Sequence, residues 1–434
     1  MKNYINNRKE FIISEIKEAN CFFSNDKLKE EKYSLLKVSP FNFFRGTVHL
    51  FYKDISNNII KFPQSWINDE DLKTWICGDM HTQNFGFIQN GNNEVIFDIN
   101  DFDNAYIGPF YFDILRYLCS LLLFADEIPI KNFDKKFIKI TRTFLKNYFA
   151  FIKTKNKEEI SEQSLNGILL KKYFKLLKRR NKIKHLKKWT TEKNGNLIFN
   201  FNNKNFASVE KIEKNTLKKN IHEYLESINI KINSNQKENT VKYEVADIAF
   251  RLNAGIDSIG RKRYYILLRN IKGEPYDYEI VEAKEQLLPV IAKVDFRDLA
   301  VYKKKYKSDA KRTETAVYNM LLNPCLFTGY FKTDKSSFFV TLLSPYKFKF
   351  KALQLKKISD LKCIVKFSAI AAAMAHSRNF YQKEGFNLFV KNALSLSTQK
   401  FSFEQIITNL AYSYYKQVQE DYSFFCNAKM SDLL

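Results

Sequence analysis

Acidic and amide side chains gather in one stretch of the chain, residues 74–113, between short apolar runs. Asp79 and Asn84 follow one apolar run, and Asp101 and Asp103 follow a later one. Mg²⁺ is a hard cation that takes carboxylate and amide oxygens, waters and phosphates as ligands. Asn84 and Asp101 are therefore candidate Mg²⁺ ligands with Asp103 close by, and Asp79 is a spare carboxylate that could orient a hydroxyl nucleophile.

A predicted β-hairpin brings these groups to one place. Residues 85–88 and 95–97 have strand character, and the Asn-Gly-Asn-Asn at 90–93 tolerates the positive φ angles of tight turns. Asn84 precedes the first strand and Asp101 follows the second, so both lie at the same open end of the hairpin. An acidic loop that only caps the hairpin is the simpler alternative, because acidic turns are common.

The spacing of these residues resembles the loops of known enzymes. The Gly-Asp-x-His-x-x-Asn at 78–84 and the Asn-Asp-Phe-Asp at 100–103 are similar to the catalytic and metal-binding loops of aminoglycoside-phosphotransferase-like kinases. The resemblance implies that Asp79 handles the acceptor hydroxyl and that Asn84 holds a metal. The candidates that follow are the catalytic residues Asp79, His81 and Asn84 and the metal ligands Asn84, Asp101 and Asp103.

The chain is more closely similar to the bacterial family called domain of unknown function 2252. The shared motifs are Phe-x-Arg-Gly at 43–46, Gly-Asp-x-His-x-x-Asn-Phe-Gly at 78–86 and Phe-Asp-x-Asn-Asp-Phe-Asp at 97–103. The similarity runs from about Ser39 to Phe425 and is specific in the motifs but loose between them.

Composition places the chain among globular proteins. It has 434 residues, of which 45% are hydrophobic and 27% are charged, and its formal net charge is +24. The positive charge favours ATP and acidic partners, but no nucleic-acid-binding motif is present, so only weak and non-specific binding to nucleic acid is expected. Its six cysteines include no Cys-x-x-Cys pair, which argues against structural zinc and a disulfide scaffold.

Neither a membrane span nor a signal peptide is visible in the sequence. The longest apolar run, residues 117–125, is shorter than the roughly 20 residues that a spanning helix needs. The N-terminus is polar and charged, which predicts a cytoplasmic protein and leaves secretion by a signal-independent route open.

Strand character returns after residue 241, in residues 249–252, 264–268 and 278–283. The turn at 255–260 carries Gly255, Ser258 and Gly260, and backbone N–H groups in such a turn can approach phosphates. Lys284 ends the third strand, which resembles the strand lysine that reaches the phosphates in kinases. These residues, with Glu314 as a candidate partner of Lys284 on the next helix, form the predicted ATP-binding set.

Several positions depart from the family pattern or admit a second interpretation. Asp257 replaces a glycine of the phosphate turn, and its carboxylate would repel a triphosphate. Gln286 replaces an alanine after the strand lysine, and Thr341 stands where the family usually has arginine. Arg45 could contact a phosphate or form a structural ion pair, and His376 is more typical of a packed helix end than of a catalyst, since no partner is evident.

The motif order predicts an α+β, two-lobed, protein-kinase-like fold that is circularly permuted, because the catalytic and metal loops precede the phosphate turn and the strand lysine. Residues 1–240 would form the first part of a large, mainly helical lobe, with a basic insertion at about 154–240. Residues 241–345 would form a small antiparallel β lobe that binds the nucleotide. Residues 346–434 would complete the large lobe, and the resemblance implies a structural role for Asp113.

The predicted function is ATP- and Mg²⁺-dependent transfer of a phosphoryl group to a hydroxyl of an unknown small molecule or protein. Nucleotidyl transfer on the same fold and a pseudokinase that acts as an interaction module are the alternatives. The segment 171–188 has lysines, arginines and one histidine but no acids, and it is either a solvated helix face or a patch for phosphates or an acidic partner. A metallophosphoesterase is disfavoured, because the five histidines stand in no matching motif.

Overall fold

The computed structural model describes the chain apart from residues 1–7, 24, 129–132, 155–157, 166–167, 237–240, 253–254, 257–258, 275–276, 295–301, 303, 356, 379–384 and 397–401. The fold is a mixture of helices and antiparallel sheets, which confirms the α+β class. Among the described residues, no helix is both long and apolar enough to span a membrane.

The first part of the chain is helical and then forms the strands that carry the acidic motifs. Its elements are α1 (Arg8–Ala19), α2 (Asp26–Leu36), α3 (Pro40–Gly46), α4 (Val48–Ser56), α5 (Gln64–Ile67), β1 (Lys73–Ile76), β2 (Phe85–Gln89), β3 (Val95–Ile99), β4 (Tyr106–Pro109), α6 (Phe110–Asp126) and α7 (Phe133–Thr154).

The middle of the chain holds most of the strands. Its elements are α8 (Ile168–Lys178), α9 (Lys182–Trp189), β5 (Thr190–Lys193), β6 (Asn196–Phe199), β7 (Phe206–Ser208), α10 (Lys211–Asn220), α11 (His222–Gln236), β8 (Tyr243–Arg251), β9 (Arg263–Asn270), β10 (Tyr278–Gln286), α12 (Val290–Val294), α13 (Asp309–Met320), β11 (Gly329–Lys332), β12 (Ser337–Leu342) and β13 (Phe348–Lys349).

The last part of the chain returns to helices. Its elements are α14 (Ile358–Arg378), α15 (Gly385–Ser395), α16 (Phe403–Asn427) and α17 (Met430–Leu433).

The predicted hairpin is present, and its register places the acidic loops together. β2 pairs with β3 antiparallel, with Phe85 opposite Ile99 and Gln89 opposite Val95. Asn93 in the turn has a φ of 62°, a left-handed conformation that asparagine tolerates better than most residues. β13 adds to the other edge of β2, so this small sheet joins residues from distant parts of the chain.

A larger antiparallel sheet, six-stranded within the described residues, has the order β11-β12-β10-β9-β8-β7. Its edge strand β7 and the helices α10 and α11 precede residue 241. The sheet and the helices packed on it therefore include residues that lie before the predicted domain boundary at 241. Leu217, Ile228 and other apolar side chains of α10 and α11 share a buried cluster with β8 to β12. On the strands β9 and β10, Trp189 of α9 packs with Tyr265 and Tyr278 in a second cluster.

Both ends of the chain build the helical body. Helix α16 packs against α6, α1 and α3 in a single large core. Arg8 binds Asp54 of α4 at 2.6 Å and Asp421 of α16 at 2.5 Å, so the first described residue ties the N-terminal helices to the last long helix. The polypeptide therefore leaves this body, forms the large sheet and returns.

Candidate active site

The loop that carries Asp79 is fixed from behind by the first turn of α6. The Asp113 carboxylate accepts hydrogen bonds from the backbone N–H groups of Cys77, at 2.6 Å, and Gly78, at 3.0 Å. Gly78 has a φ of +71°, and a Cβ there would lie 2.2 Å from the carbonyl oxygen of Asn104. Asp113 and Gly78 therefore set the direction in which the chain enters Asp79.

His376 lies behind Asp113 and is buried at the end of α14. Its Nδ1 lies 2.8 Å from the Tyr148 hydroxyl, and its Nε2 lies 3.3 Å from Asp113. Its backbone carbonyl accepts a hydrogen bond from Thr74 of β1. These partners come from two distant helices and a strand, which is why none was evident in the sequence, and they show that His376 supports the loop that carries Asp79.

Asp79 forms an ion pair with Arg116, a residue that the sequence analysis did not single out. Nε and one terminal nitrogen of Arg116 lie 2.7 and 2.6 Å from the same Asp79 oxygen, Oδ1. The guanidinium also donates to the Phe44 carbonyl at 3.0 Å and stacks over the Phe44 ring at 4.1 Å. A lone arginine inside the apolar helix 110–126 is the signal that could have revealed it, since arginine is seldom buried without a partner.

Asn84 has one amide atom fixed and the other available. Its Nδ2 donates to the Asp79 carbonyl at 2.6 Å. Its Oδ1 is buried and has no hydrogen-bond partner among the described residues. A buried, unpartnered carbonyl oxygen fits a cation ligand, and the carboxylate of Asp101 lines the same cleft.

A divalent cation at this place would need further ligands from its substrate or from water. No group of three or more His, Cys, Asp or Glu side chains in the described part of the chain could hold a metal by itself. Mg²⁺ is often bound by one or two carboxylates together with substrate phosphates. Asn84 and Asp101 fit a site of this kind, in which the substrate phosphates complete the coordination.

Lys284 reaches from the large sheet to the predicted metal loop, residues 100–105. Its ammonium group forms an ion pair with Asp103, which also accepts a hydrogen bond from Gln286 at 3.1 Å and lies 3.8 Å from Arg261. Burial opposes ionisation of Asp103, but the positive charges of Lys284 and Arg261 outweigh it and hold the pKa of Asp103 well below its usual range. The sheet and the hairpin therefore meet at this carboxylate.

The predicted pairing of Glu314 with Lys284 is corrected by the structure. Glu314 instead lies 2.7 Å from Lys311 and 3.8 Å from Lys231, on another face of α13. The face of α13 toward the site presents Arg312, which donates to the backbone carbonyls of the metal loop at Asp103 and Ala105.

Gln286, which stands where the family pattern has an alanine, has a structural role. Its Oε1 accepts a hydrogen bond from the Thr313 hydroxyl of α13 at 2.8 Å, while its Nε2 donates to Asp103. An alanine could make neither contact. Gln286 therefore links α13 to the same carboxylate that Lys284 holds.

The predicted phosphate turn is described in part. Gly255 and Gly260 have positive φ angles, of 68° and 80°, while Asp257 and Ser258 lie outside the described residues. A Cβ on Gly260 would lie 2.2 Å from the Phe23 ring, so the end of the turn packs closely against the N-terminal helices. Arg261 follows directly and faces Asp103.

His81 is held neutral beside Arg45. Burial, with the nearby charges of Arg45, Lys349 and Arg116, holds the pKa of His81 well below its usual range. Arg45 Nε lies 3.3 Å from His81 Nε2, and a terminal nitrogen of Arg45 donates to Gln83 at 2.8 Å. A neutral, buried imidazole in this place positions the loop and does not supply a charge.

Lys349 is a further cation at the site that the sequence analysis did not single out. It lies on β13 opposite Gly86, directly beyond Asn84 and Phe85. Burial is the main cause that lowers the pKa of Lys349 to about 8; the charges of Lys347 and Arg45 act in the same direction, and Asp101 acts in the opposite one. A cation that is disfavoured by its surroundings would be stabilised by an anionic ligand.

The metal loop lines two cavities. A cleft of about 960 Å³ is lined by Asp79, Asn84, Asp101 and Asp103, with walls from α1, α4 and α12. A smaller pocket of about 90 Å³ is lined by Asn100 and Phe102 together with residues of β12 and of the segment after it. Successive residues from 100 to 103 thus alternate between the two cavities.

Part of the basic segment 171–188 connects elements of the fold. Arg180 donates to the Pro345 carbonyl at 2.7 Å, in the segment that follows β12. Lys182 lies 3.1 Å from Asp277 and 2.6 Å from Glu279 of β10. These cations have internal partners, while an acidic binding partner for the rest of the segment stays a prediction.

Comparisons with known proteins give a family without an assigned activity. The model of the family described as "Uncharacterized protein conserved in bacteria (DUF2252)" matches residues 25–428 of the 434. No curated protein and no solved structure matches the chain.

Proposed function

We propose that this chain, which belongs to the DUF2252 family, is an ATP- and Mg²⁺-dependent phosphotransferase with a circularly permuted kinase-like fold. One observation carries the proposal: Lys284 of the large sheet binds Asp103, and Asp103 lines one cleft with Asp79, Asn84 and Asp101. These residues are up to 205 positions apart in the chain (284 − 79), so the fold has brought them together from separate elements. The return of both chain ends to the helical body is what a circular permutation requires.

The residues divide by chemistry. Lys284, Arg261 and Lys349 would bind the phosphates, since each is a cation close to the metal loop. Asn84 and Asp101 would hold Mg²⁺, which would neutralise the charge that develops on the transferred phosphoryl group. Positioning and charge neutralisation supply most of the rate in such reactions.

Asp79 would orient the acceptor hydroxyl toward the terminal phosphorus. A bond forms between the acceptor oxygen and that phosphorus, and the bond from phosphorus to the bridging oxygen of ADP breaks. The hydroxyl proton passes to Asp79 or to solvent. Arg116 fixes the Asp79 carboxylate in one orientation, which keeps the hydrogen-bonding direction toward the acceptor constant.

The proposal is tested by thermal unfolding with ATP, with and without Mg²⁺. A ligand at 100 times its dissociation constant stabilises the folded state by about 2.7 kcal/mol. We expect this stabilisation in the wild type only when Mg²⁺ is present, and we expect Asp101→Ala to lose it. Asp26→Ala, which removes an exposed carboxylate of α2, is the matched control and should keep it. Equal stabilisation of Asp101→Ala and wild type would contradict the proposed metal site.

The ion pair of Asp79 favours a second candidate, a nucleotide-binding pseudokinase that acts as an interaction module. A carboxylate oxygen that already accepts from two nitrogens of a buried arginine is less able to accept a further hydrogen bond from an acceptor hydroxyl. Asp79→Ala separates the candidates, because an enzyme would lose its cellular activity and an interaction module would keep it. Product analysis with ATP labelled on both the α and γ phosphates distinguishes phosphoryl transfer from nucleotidyl transfer.

A further inference from the structure

The smaller pocket is lined in large part by apolar side chains. Its apolar lining comes from the hairpin, the metal loop, α13 and β12, and includes Ile88, Phe102, Val317, Phe339 and Leu342. Its volume of about 90 Å³ is several times the space that one water molecule needs. Polar side chains, among them Gln89, Thr341 and Lys347, also line it, and an apolar lining with some polar groups is typical of small-molecule sites.

Asn100, one of the residues that line this pocket, carries an unpartnered amide. Both its Oδ1 and its Nδ2 are buried, and neither has a hydrogen-bond partner among the described residues. Gly86 of β2 lies against the amide, and a Cβ there would be 3.2 Å from Nδ2. Since buried polar groups are nearly always paired in native proteins, an amide with both atoms unpaired indicates a ligand or bound water.

The pocket adjoins the proposed phosphate site. Asn100 directly precedes Asp101, and Phe339 in the pocket wall lies opposite Lys284 in the register of β10 with β12. The base of a nucleotide whose phosphates lie at Lys284 and Asp101 would therefore fall close to Asn100.

We infer that the smaller pocket binds the base of the nucleotide and that Asn100 selects adenine; this inference rests on the proposed nucleotide-dependent function. An asparagine amide offers one acceptor and one donor side by side, which match the N6 amino group and the N7 of adenine. On the same edge guanine presents two acceptors, N7 and O6, so the amide oxygen of Asn100 would face a lone pair. Asn100 is a specificity-determining residue in this arrangement.

The test compares the binding of ATP, GTP and inorganic tripolyphosphate, each with Mg²⁺, by calorimetry. Tripolyphosphate has the phosphate chain without a base, so it reports the phosphate site alone. We expect wild type to prefer ATP over GTP by about 10- to 100-fold, the discrimination of a bidentate pair. Asn100→Leu, which keeps the shape of the side chain, should reduce the preference to about threefold or less and leave tripolyphosphate binding unchanged.

Two further variants keep the result interpretable. Asn100→Ala removes the same polar atoms without adding volume, so it serves if the leucine disturbs folding. Asn147→Leu makes the same substitution on α7, where the amide donates to the Thr143 carbonyl of its own helix, and should keep the wild-type preference.

The outcomes separate the inference from the function on which it rests. If the wild type binds ATP and GTP equally and also binds tripolyphosphate, the adenine inference is overturned and the proposed phosphate site stands. An undiminished preference in Asn100→Leu and Asn100→Ala would assign the unpaired amide to bound water. If none of the three compounds binds, the inference and the proposed function both fail.

Discussion

Two carboxylates of the site each bind a cation, but they do so in different ways. Asp79 and Arg116 are 37 residues apart and both belong to the helical body, whereas Asp103 and Lys284 are 181 residues apart and join that body to the large sheet. The Arg116 guanidinium is fixed by Phe44 as well as by Asp79. The geometry of the first pair therefore depends on the helical body alone. The geometry of the second pair depends on how the helical body and the large sheet are placed relative to each other.

The difference assigns a different task to each pair. Arg116 holds Asp79 through two nitrogens and is almost completely buried, so the orientation of Asp79 is fixed before any ligand arrives. Asp103 has partners besides Lys284, namely Gln286 and Arg261, and can keep a satisfied environment if the lysine moves. We therefore expect Lys284 to exchange Asp103 for a phosphate when a nucleotide binds, while the Asp79 pair stays unchanged.

Arg116→Ala should have the largest effect on stability. Removing one member of a buried ion pair leaves an uncompensated charge and costs about 3–5 kcal/mol. We expect a loss of this size in the free energy of unfolding, measured by urea denaturation, together with loss of any activity that needs Asp79.

The same pair provides its own control. The double variant Asp79→Asn with Arg116→Met removes both charges and should recover part of the lost stability. If Arg116→Ala unfolds at the urea concentration of the wild type, the Asp79 pair is not the fixed element that the comparison requires.

A third acid, Asp98, extends the comparison to a carboxylate for which the effect of burial outweighs that of its cation. It is buried on β3, its nearest cation Arg378 lies 3.8 Å away, and burial raises its pKa to about 6. Because this folded-state pKa exceeds the unfolded value near 3.9, the folded state binds the proton more tightly, and stability falls as pH rises from about 4 to 6.

Asp98→Asn should therefore stabilise the protein at neutral pH. A rise in the pKa of Asp98 to about 6 corresponds to about 3 kcal/mol, and the amide keeps the oxygen that accepts the Ile99 N–H. We expect a gain of up to that size at pH 7 and little gain at pH 4, measured by urea denaturation at both values. A loss of stability at pH 7 would mean that Arg378 compensates the charge fully.

The sequence predicted the parts of the site that depend on local patterns. The Asn-Gly turn and the flanking apolar runs predicted the hairpin of β2 and β3, which the structure contains. The strand that ends near Lys284 and the helix that begins at Phe110 were predicted by apolar periodicity and by Pro109. Each of these signals lies within about ten residues of the element it predicts.

The side-chain partners could not be predicted in the same way. Arg116 and Asp79, or His376 and Tyr148, meet because helices pack at particular angles, and no local pattern encodes those angles. The edge strand β7 has three residues inside an asparagine-rich stretch, and only its pairing with β8 makes it a strand. Partner choice and sheet edges are set by tertiary contacts, which one sequence does not reveal.

Lys284→Met should cost less stability than Arg116→Ala. A hydrogen bond to a charged group contributes about 2 kcal/mol, and Asp103 keeps Gln286 and Arg261 in the variant. Since the pKa of Asp103 is depressed in the folded state, its pairing stabilises the protein above about pH 4, and this contribution is lost as the pH falls further.

Nucleotide binding gives the Lys284 variant a second readout. We expect Lys284→Met to lose most of the stabilisation by ATP and Mg²⁺, whereas Lys311→Met, which removes a half-exposed lysine of α13, should keep it. A variant that binds ATP as tightly as the wild type would show that Lys284 only supports the structure.

Glu314→Gln should have the smallest effect and bears on the corrected pairing. Glu314 binds Lys311, a lysine whose side chain is 41% exposed, and such pairs contribute less than about 1 kcal/mol. We therefore expect a small change in the free energy of unfolding and an ATP affinity within about twofold of the wild type, because nothing in the metal loop depends on Glu314. A tenfold loss of ATP affinity would instead mean that Lys284 moves to Glu314 once it is released from Asp103. The lysine would then exchange one carboxylate for another, and not a carboxylate for a phosphate.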